Sequence, residues 1–197
     1  MLFGAFVVVP ALSSAVVWQT VLKSSPAISP RTPEEIIIPV VIPEASEPVE
    51  TPVRISIPSV HVDAAIEKVA LTPDGSMDVP KEPANAGWYE LGPRPGEVGA
   101  AVLAGHVDWY DGVTGVFADL HEVEPGDIIV TTDEAGNEAR FVVRESKTYA
   151  ADAVATDVFV STDGAAHLNL ITCIGDWDTT QGQYTERLVV FADKVAK

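Results

Sequence analysis

From Val53 to the C-terminus, short apolar runs alternate with clusters of Gly, Pro, Asp and Asn, at a spacing of about ten residues. Runs of this length, rich in Val, Ile and Leu, predict strands over 53–57, 60–67, 76–79, 99–106, 127–132, 138–148, 167–173 and 186–195. Turn signals separate them: Pro73-Asp74-Gly75, Pro93-Arg94-Pro95-Gly96, Pro125-Gly126-Asp127 and Glu134-Ala135-Gly136-Asn137. Residues 115–120 fit one helical turn, and 151–158 carries no clear period. Eight strands with little helix predict an all-β fold, closed into a barrel or stacked as a sandwich. The period of two adds a placement. Cys173 shares a face with Ile171 and Asn169, and Arg187 shares one with Val189 and Phe191. The connection between these two runs is too short for a crossover helix, which makes them antiparallel neighbours with Cys173 and Arg187 on a common rim.

The pattern changes upstream. Residues 1–22 hold no charged side chain, and the first basic residue is Lys23. About 20 apolar residues at a 1.5 Å rise span a bilayer, so 1–23 is expected to be a transmembrane anchor. The competing reading is a cleaved signal peptide, with small residues around Ser13-Ser14-Ala15 as its cleavage site. No basic residue precedes the apolar stretch, so charge does not set its orientation. Residues 24–52 then carry Pro26, Pro30, Pro33, Pro39, Pro43, Pro48 and Pro52, interleaved with Glu34, Glu35, Glu44, Glu47 and Glu50. Proline at this density prevents a helix and favours an extended spacer. The runs Ile36–Ile38 and Val40–Ile42 offer an alternative, in which the spacer packs on the domain as a strand. The expected organisation is an anchor at 1–23, a linker at 24–52 and one domain at 53–197.

Charge removes some function classes. The formal net charge is −17, and every acidic residue lies after Lys23. That field repels phosphate, so nucleic acid is no partner.

Chemistry concentrates at three strand ends. Cys173 is the chain's only cysteine and closes the run Leu168-Asn169-Leu170-Ile171-Thr172-Cys173. His106 closes Ala100–Gly105, and Arg187, fourteen residues after the cysteine, opens Leu188–Ala192. A thiol is a nucleophile as the thiolate, an imidazole can exchange its proton, and a guanidinium can hold an oxyanion. Together they can perform acyl transfer. Each also has a plainer reading: a buried small hydrophobe for Cys173, a metal ligand with Asp108 for His106, and a rim cation for Arg187 paired with Glu186 or Asp176. His61, His121 and His167 lack such neighbours in sequence. Thr172 is a candidate for binding substrate backbone, and Trp88, Trp109 and Trp177 for lining a peptide groove; core or loop packing is the alternative for each.

The sequence resembles the sortases, membrane-anchored cysteine transpeptidases. The resemblance lies in Leu103-Ala104-Gly105-His106, Val116-Phe117-Ala118-Asp119-Leu120, Val123-Glu124-Pro125-Gly126-Asp127, Leu170-Ile171-Thr172-Cys173 and Arg187, in family order over roughly 53–195. Gly87-Trp88-Tyr89 and Gly92-Pro93-Arg94-Pro95-Gly96 are closer to the class F and class E branches. The resemblance implies an eight-stranded closed β-barrel with one or two short helical turns behind a transmembrane helix. It implies Cys173 as nucleophile, His106 as general acid/base and Arg187 as oxyanion or substrate stabiliser, with Thr172, Ala104 and Trp88 near the substrate. The partners implied are a Leu-Pro-x-Thr-Gly or Leu-Ala-x-Thr-Gly sorting signal and an amine acceptor, a cell-wall precursor or a pilin lysine. The catalytic domain would be extracellular. Ile174-Gly175-Asp176-Trp177-Asp178 departs from the family pattern and bears on substrate preference. Two competitors remain at this point: an L,D-transpeptidase, whose Cys and Arg stand closer together, and a non-catalytic barrel for adhesion or assembly. No cofactor is expected. Asp108, Asp111, Asp119, Glu122, Glu124, Asp176 and Asp178 are scattered rather than arranged in a calcium loop, so no metal is expected either.

Overall fold

A computed structural model describes residues 48–196. The anchor predicted at 1–23 and all but the end of the 24–52 linker lie outside the described residues, as does the proposed strand within the linker. Among the described residues no helix is long and apolar enough to cross a membrane.

Eight strands form one closed barrel: β1 (Pro52–Ile57), β2 (Val62–Val69), β3 (Ala86–Tyr89), β4 (Gly99–Ala104), β5 (Ile128–Asp133), β6 (Glu138–Ala150), β7 (Ala166–Asp178) and β8 (Gln183–Lys194). Their order around the barrel is β1-β2-β3-β4-β7-β8-β6-β5, and β5 closes it against β1. The barrel alternative is thus the one realised. One predicted strand moves. Residues 76–79 make only an isolated bridge, Leu71 to Met77, whereas Ala86–Tyr89 pairs parallel to β2 and antiparallel to β4. Three helical turns are short, Pro58–Val60, Tyr110–Gly112 and Leu120–Glu122, and α1 (Thr156–Phe159) occupies the segment left without a period.

The interior follows the predicted alternation. Leu168, Leu170 and Thr172 of β7, and Leu188, Val190 and Ala192 of β8, are buried, and the apolar ones join Ile55, Ile57, Leu103, Ile129 and Phe141 in the main core. The opposite face of the same strands is also covered. Val102, Val189 and Phe191 pack with Val158 of α1, and Ile171, Tyr89 and Met77 border them. A strand buried on both faces reads as a continuous apolar run. That is why β4, β7 and β8 appear in the sequence as unbroken hydrophobic stretches. Asn169, buried on this outer face, donates from Nδ2 to the Val158 carbonyl at 2.7 Å and ties α1 down. Cys173 lies along this outer face, one step past Ile171.

Candidate active site

Register assembles the site. β4 runs parallel to β7 with Ala104 opposite Ile171. Two residues further along each path stand His106 and Cys173, and the Gly105 amide still donates to the Ile171 carbonyl at 2.9 Å. On the other side of β7, Cys173 is paired directly with Arg187 of β8. Neighbouring strands lie about 4.8 Å apart, so imidazole, thiol and guanidinium come from three adjacent paths at one level of the barrel. The rim shared by Cys173 and Arg187 in the sequence is this arrangement.

The polar run after Cys173 is not a loop. β7 continues to Asp178 and β8 begins at Gln183, so the two strands extend as a hairpin past the site, with a register shift between Ile174 and Trp177. Gly175 sits in this irregularity at φ +85°, and a Cβ there would stand 2.7 Å from Thr185 Oγ1. Only glycine fits both demands.

Each site residue has a distinct support. His106 Nε2 faces the Pro80 carbonyl at 2.8 Å. A carbonyl only accepts, so Nε2 carries the proton and Nδ1 is left to exchange one. The His106 ring packs edge-on against Trp109, centroids 4.5 Å apart. The turn itself is tight: the Phe117 amide donates to the His106 carbonyl at 2.9 Å, and a Cβ on Gly115 would lie 2.2 Å from that oxygen. Arg187 donates from Nη1 to the carbonyls of Tyr184 (2.9 Å) and Glu186 (3.0 Å), and from Nη2 to Gln183 Oε1 at 3.3 Å. Burial pushes the Cys173 thiol up from its ordinary value; Arg187 opposes that and Asp108 adds to it. The resting site therefore favours the thiol and needs a base.

The three residues proposed to meet substrate, Thr172, Trp88 and Ala104, are all buried. Thr172 points inward, is 4% exposed, and donates its hydroxyl to the Gly105 carbonyl at 2.9 Å. It fastens the His106 turn to β7. Trp88 is a core residue, 4% exposed, with Nε1 donating to the Pro93 carbonyl at 3.1 Å, so it lines no open groove. That bond joins the Gly-Trp-Tyr and Gly-Pro-Arg-Pro-Gly elements into one unit. Ala104 ends β4 between Gly87 and Ile171. Trp177 is exposed on the hairpin and packs edge-on against Tyr184 at 5.2 Å. Among the described residues no group of three or more His, Cys, Asp or Glu could hold a metal ion. Asp108, weighed as a partner of His106 for metal, instead accepts the Tyr184 hydroxyl.

Tyr184 and Pro80 had no sequence signal. One contributes through a hydroxyl that reaches a residue 76 positions away, the other through a backbone carbonyl. His167 is a satisfied histidine away from the site. It lies at the opposite end of β7, with Nδ1 at 2.7 Å from Asp193 and Nε2 at 3.1 Å from Asp163.

The structure is a closed eight-stranded barrel that carries a thiol, an imidazole and a guanidinium on three adjacent strand paths, a set of groups able to perform acyl transfer. The family model described as "Sortase domain" matches residues 55–195. Solved structures with the same fold include sortase C-1 from Actinomyces oris, at 24% identity and TM-score 0.57, covering 73% of each chain. Sortase A from Corynebacterium diphtheriae matches at 20% identity and TM-score 0.59, covering 77% of this chain and 64% of that one. Sortase A from Listeria monocytogenes matches at 24% identity and TM-score 0.56, covering 76% and 89%. No curated protein matches the chain significantly. The chain belongs to the sortase family, a family of cysteine transpeptidases. The L,D-transpeptidase reading falls with that membership.

Proposed function

We propose that this protein cleaves a sorting signal of the Leu-Pro-x-Thr-Gly or Leu-Ala-x-Thr-Gly type and transfers the new carboxyl end to an amine. The observation that carries the reading is the register: Cys173 opposite Arg187, with His106 at the same level on the next path. Cys173 gives its proton to His106 Nδ1 and attacks the threonine carbonyl carbon. Arg187 stabilises the oxyanion of the tetrahedral intermediate. Collapse breaks the Thr–Gly bond, and the imidazolium returns the proton to the leaving amine, leaving a thioester on Cys173. An acceptor amine then attacks the thioester, gives its proton to His106, and expels the thiolate.

The acceptor is a cell-wall precursor or a pilin lysine. The uncharged stretch 1–22 and the Pro/Glu spacer behind it support a single-pass anchor with the catalytic domain outside the membrane. The class F/E-like branch is supported by the sequence elements Gly87-Trp88-Tyr89 and Gly92-Pro93-Arg94-Pro95-Gly96.

A library of quenched sorting-signal peptides, incubated with the protein and a primary amine, tests the activity. One motif is expected to be cleaved, with an acyl adduct on Cys173 by mass spectrometry and none in Cys173→Ala. Cleavage that persists in the alanine variant would end the cysteine mechanism.

A further inference from the structure

Tyr184 touches both halves of the site. Its hydroxyl donates to Asp108 Oδ2 at 2.6 Å, and its carbonyl accepts from Arg187 Nη1 at 2.9 Å. The first contact has the length of a charge-assisted O–H···O⁻ bond. Asp108 stands two residues past His106, in a short ribbon where it pairs with Thr114 and where the Trp109 amide donates to the Val113 carbonyl at 2.8 Å. Asp108 and His106 therefore belong to one turn. Tyr184 belongs to the β7–β8 hairpin, braced by Trp177 and three residues from Arg187. The carboxylate, followed by burial, pushes the Tyr184 hydroxyl up to about 12, so it remains a donor through the neutral range.

We propose that Asp108 and Tyr184 are a positioning pair, which fastens the His106 turn to the Arg187 hairpin and so fixes the spacing of imidazole, thiol and guanidinium. The proposal rests on the transpeptidase reading and adds two residues to it. Their role in the proposal is to position His106 and Arg187, not to exchange protons or bonds with substrate. The pair lies at the surface, where such a bond contributes little to stability, whereas displacement of a reacting group by about 1 Å can cost about 10²-fold in rate. Its effect is therefore expected in kcat rather than in melting temperature.

The test uses the full chain and the peptide that the wild type cleaves best. Tyr184→Phe and Asp108→Asn should each lower kcat by about 10- to 100-fold, with KM changed by less than about 3-fold. The double variant should be no slower than the slower single one, because both substitutions break one contact. A second readout needs no peptide: the pH dependence of Cys173 alkylation by iodoacetamide. Asp108 raises the thiol. Tyr184→Phe changes no charge, so a midpoint moved to lower pH in that variant reports that the carboxylate has left its place. A kcat at the wild-type level, losses that multiply in the double variant, or an unmoved alkylation midpoint in Tyr184→Phe would each overturn the pair. If the wild type cleaves no peptide, the transpeptidase reading fails. The alkylation arm still decides the pair in that case, supporting it by a shift and refuting it by none.

Discussion

Burial favours the thiol form of Cys173, and under the proposed mechanism the two neighbouring groups answer that in different ways. His106→Ala removes the proton acceptor and should lower kcat/KM by about 10²–10⁴-fold. Arg187→Ala removes the oxyanion donor and should lower it by about 10²–10³-fold. Arg187→Lys should recover little. The guanidinium is held through two nitrogens, Nη1 and Nη2, and one ammonium cannot reproduce that fork. Steady-state kinetics with the cleaved peptide check all three, and an indispensable His121 with a dispensable His106 would reassign the base. Thr172→Val tests a different role. It leaves the Gly105 carbonyl without its partner, which should destabilise the fold by about 1–3 kcal/mol in denaturant melts. Cys173, His106 and Arg187 were legible because each closes or opens an apolar run, so their common level followed from period and spacing, although β7 and β8 continue past it. Trp88 was left open between groove and core because a tryptophan followed by a turn looks the same in either place.

Among the elements, β7 has the most to tell. Both ring nitrogens of His167, at its start, face carboxylates, Asp193 and Asp163, and Asp193 is also paired with Arg144 at 2.5 Å. Both nitrogens can donate only when the imidazole is protonated. Burial lowers the His167 value, but the two carboxylates outweigh it and the net shift is upward. A value raised on folding adds stability that is complete below the unfolded value of about 6.5 and fades as pH rises through the folded one. Melting temperature should therefore fall as pH rises above about 6.5, and His167→Gln should flatten that slope. Asp163, held below the usual carboxylate range chiefly by the Ala165 amide, acts at the acid end and leaves this window untouched. An equal slope in both proteins would refute the assignment. Legibility varied by element. Long strands with apolar runs were placed to within a few residues. β3, with Gly87 inside and Pro83 just ahead of it, lacked the β-branched run that marks a strand, and its pairing to β2 is parallel and non-local. The extended tips of β7 and β8 lay outside the predicted strands because their residues are mostly polar or glycine; Gly175, Asp176, Trp177, Thr185 and Glu186 are exposed.

For the molecule as a whole, the strand pattern left closure as one of two outcomes, and the sortase resemblance chose the barrel. Barrel and sandwich share strand number and alternation, and what separates them is the β1–β5 pairing, with Pro52 opposite Asp133, which no local pattern encodes. Two predictions belong at this scale. Activity should be unchanged in excess chelator despite the net charge of −17, since binding calcium takes six to eight converging oxygens rather than many scattered carboxylates. A several-fold loss restored by calcium would count against this. Protease treatment of intact cells should remove the catalytic domain; its survival would place it on the cytoplasmic side.

The acceptors that hold the site are mostly main-chain oxygens: Pro80 for His106, Gly105 for Thr172, Tyr184 and Glu186 for Arg187. A point substitution can change a side chain but cannot delete a carbonyl. Evolutionary drift at Pro80 or Glu186 thus leaves the hydrogen bond available so long as the chain path survives. The scaffold is in that sense buffered against mutation. Asp108 and the Tyr184 hydroxyl lack this protection, because their contact exists only between side chains and a single base change can remove it.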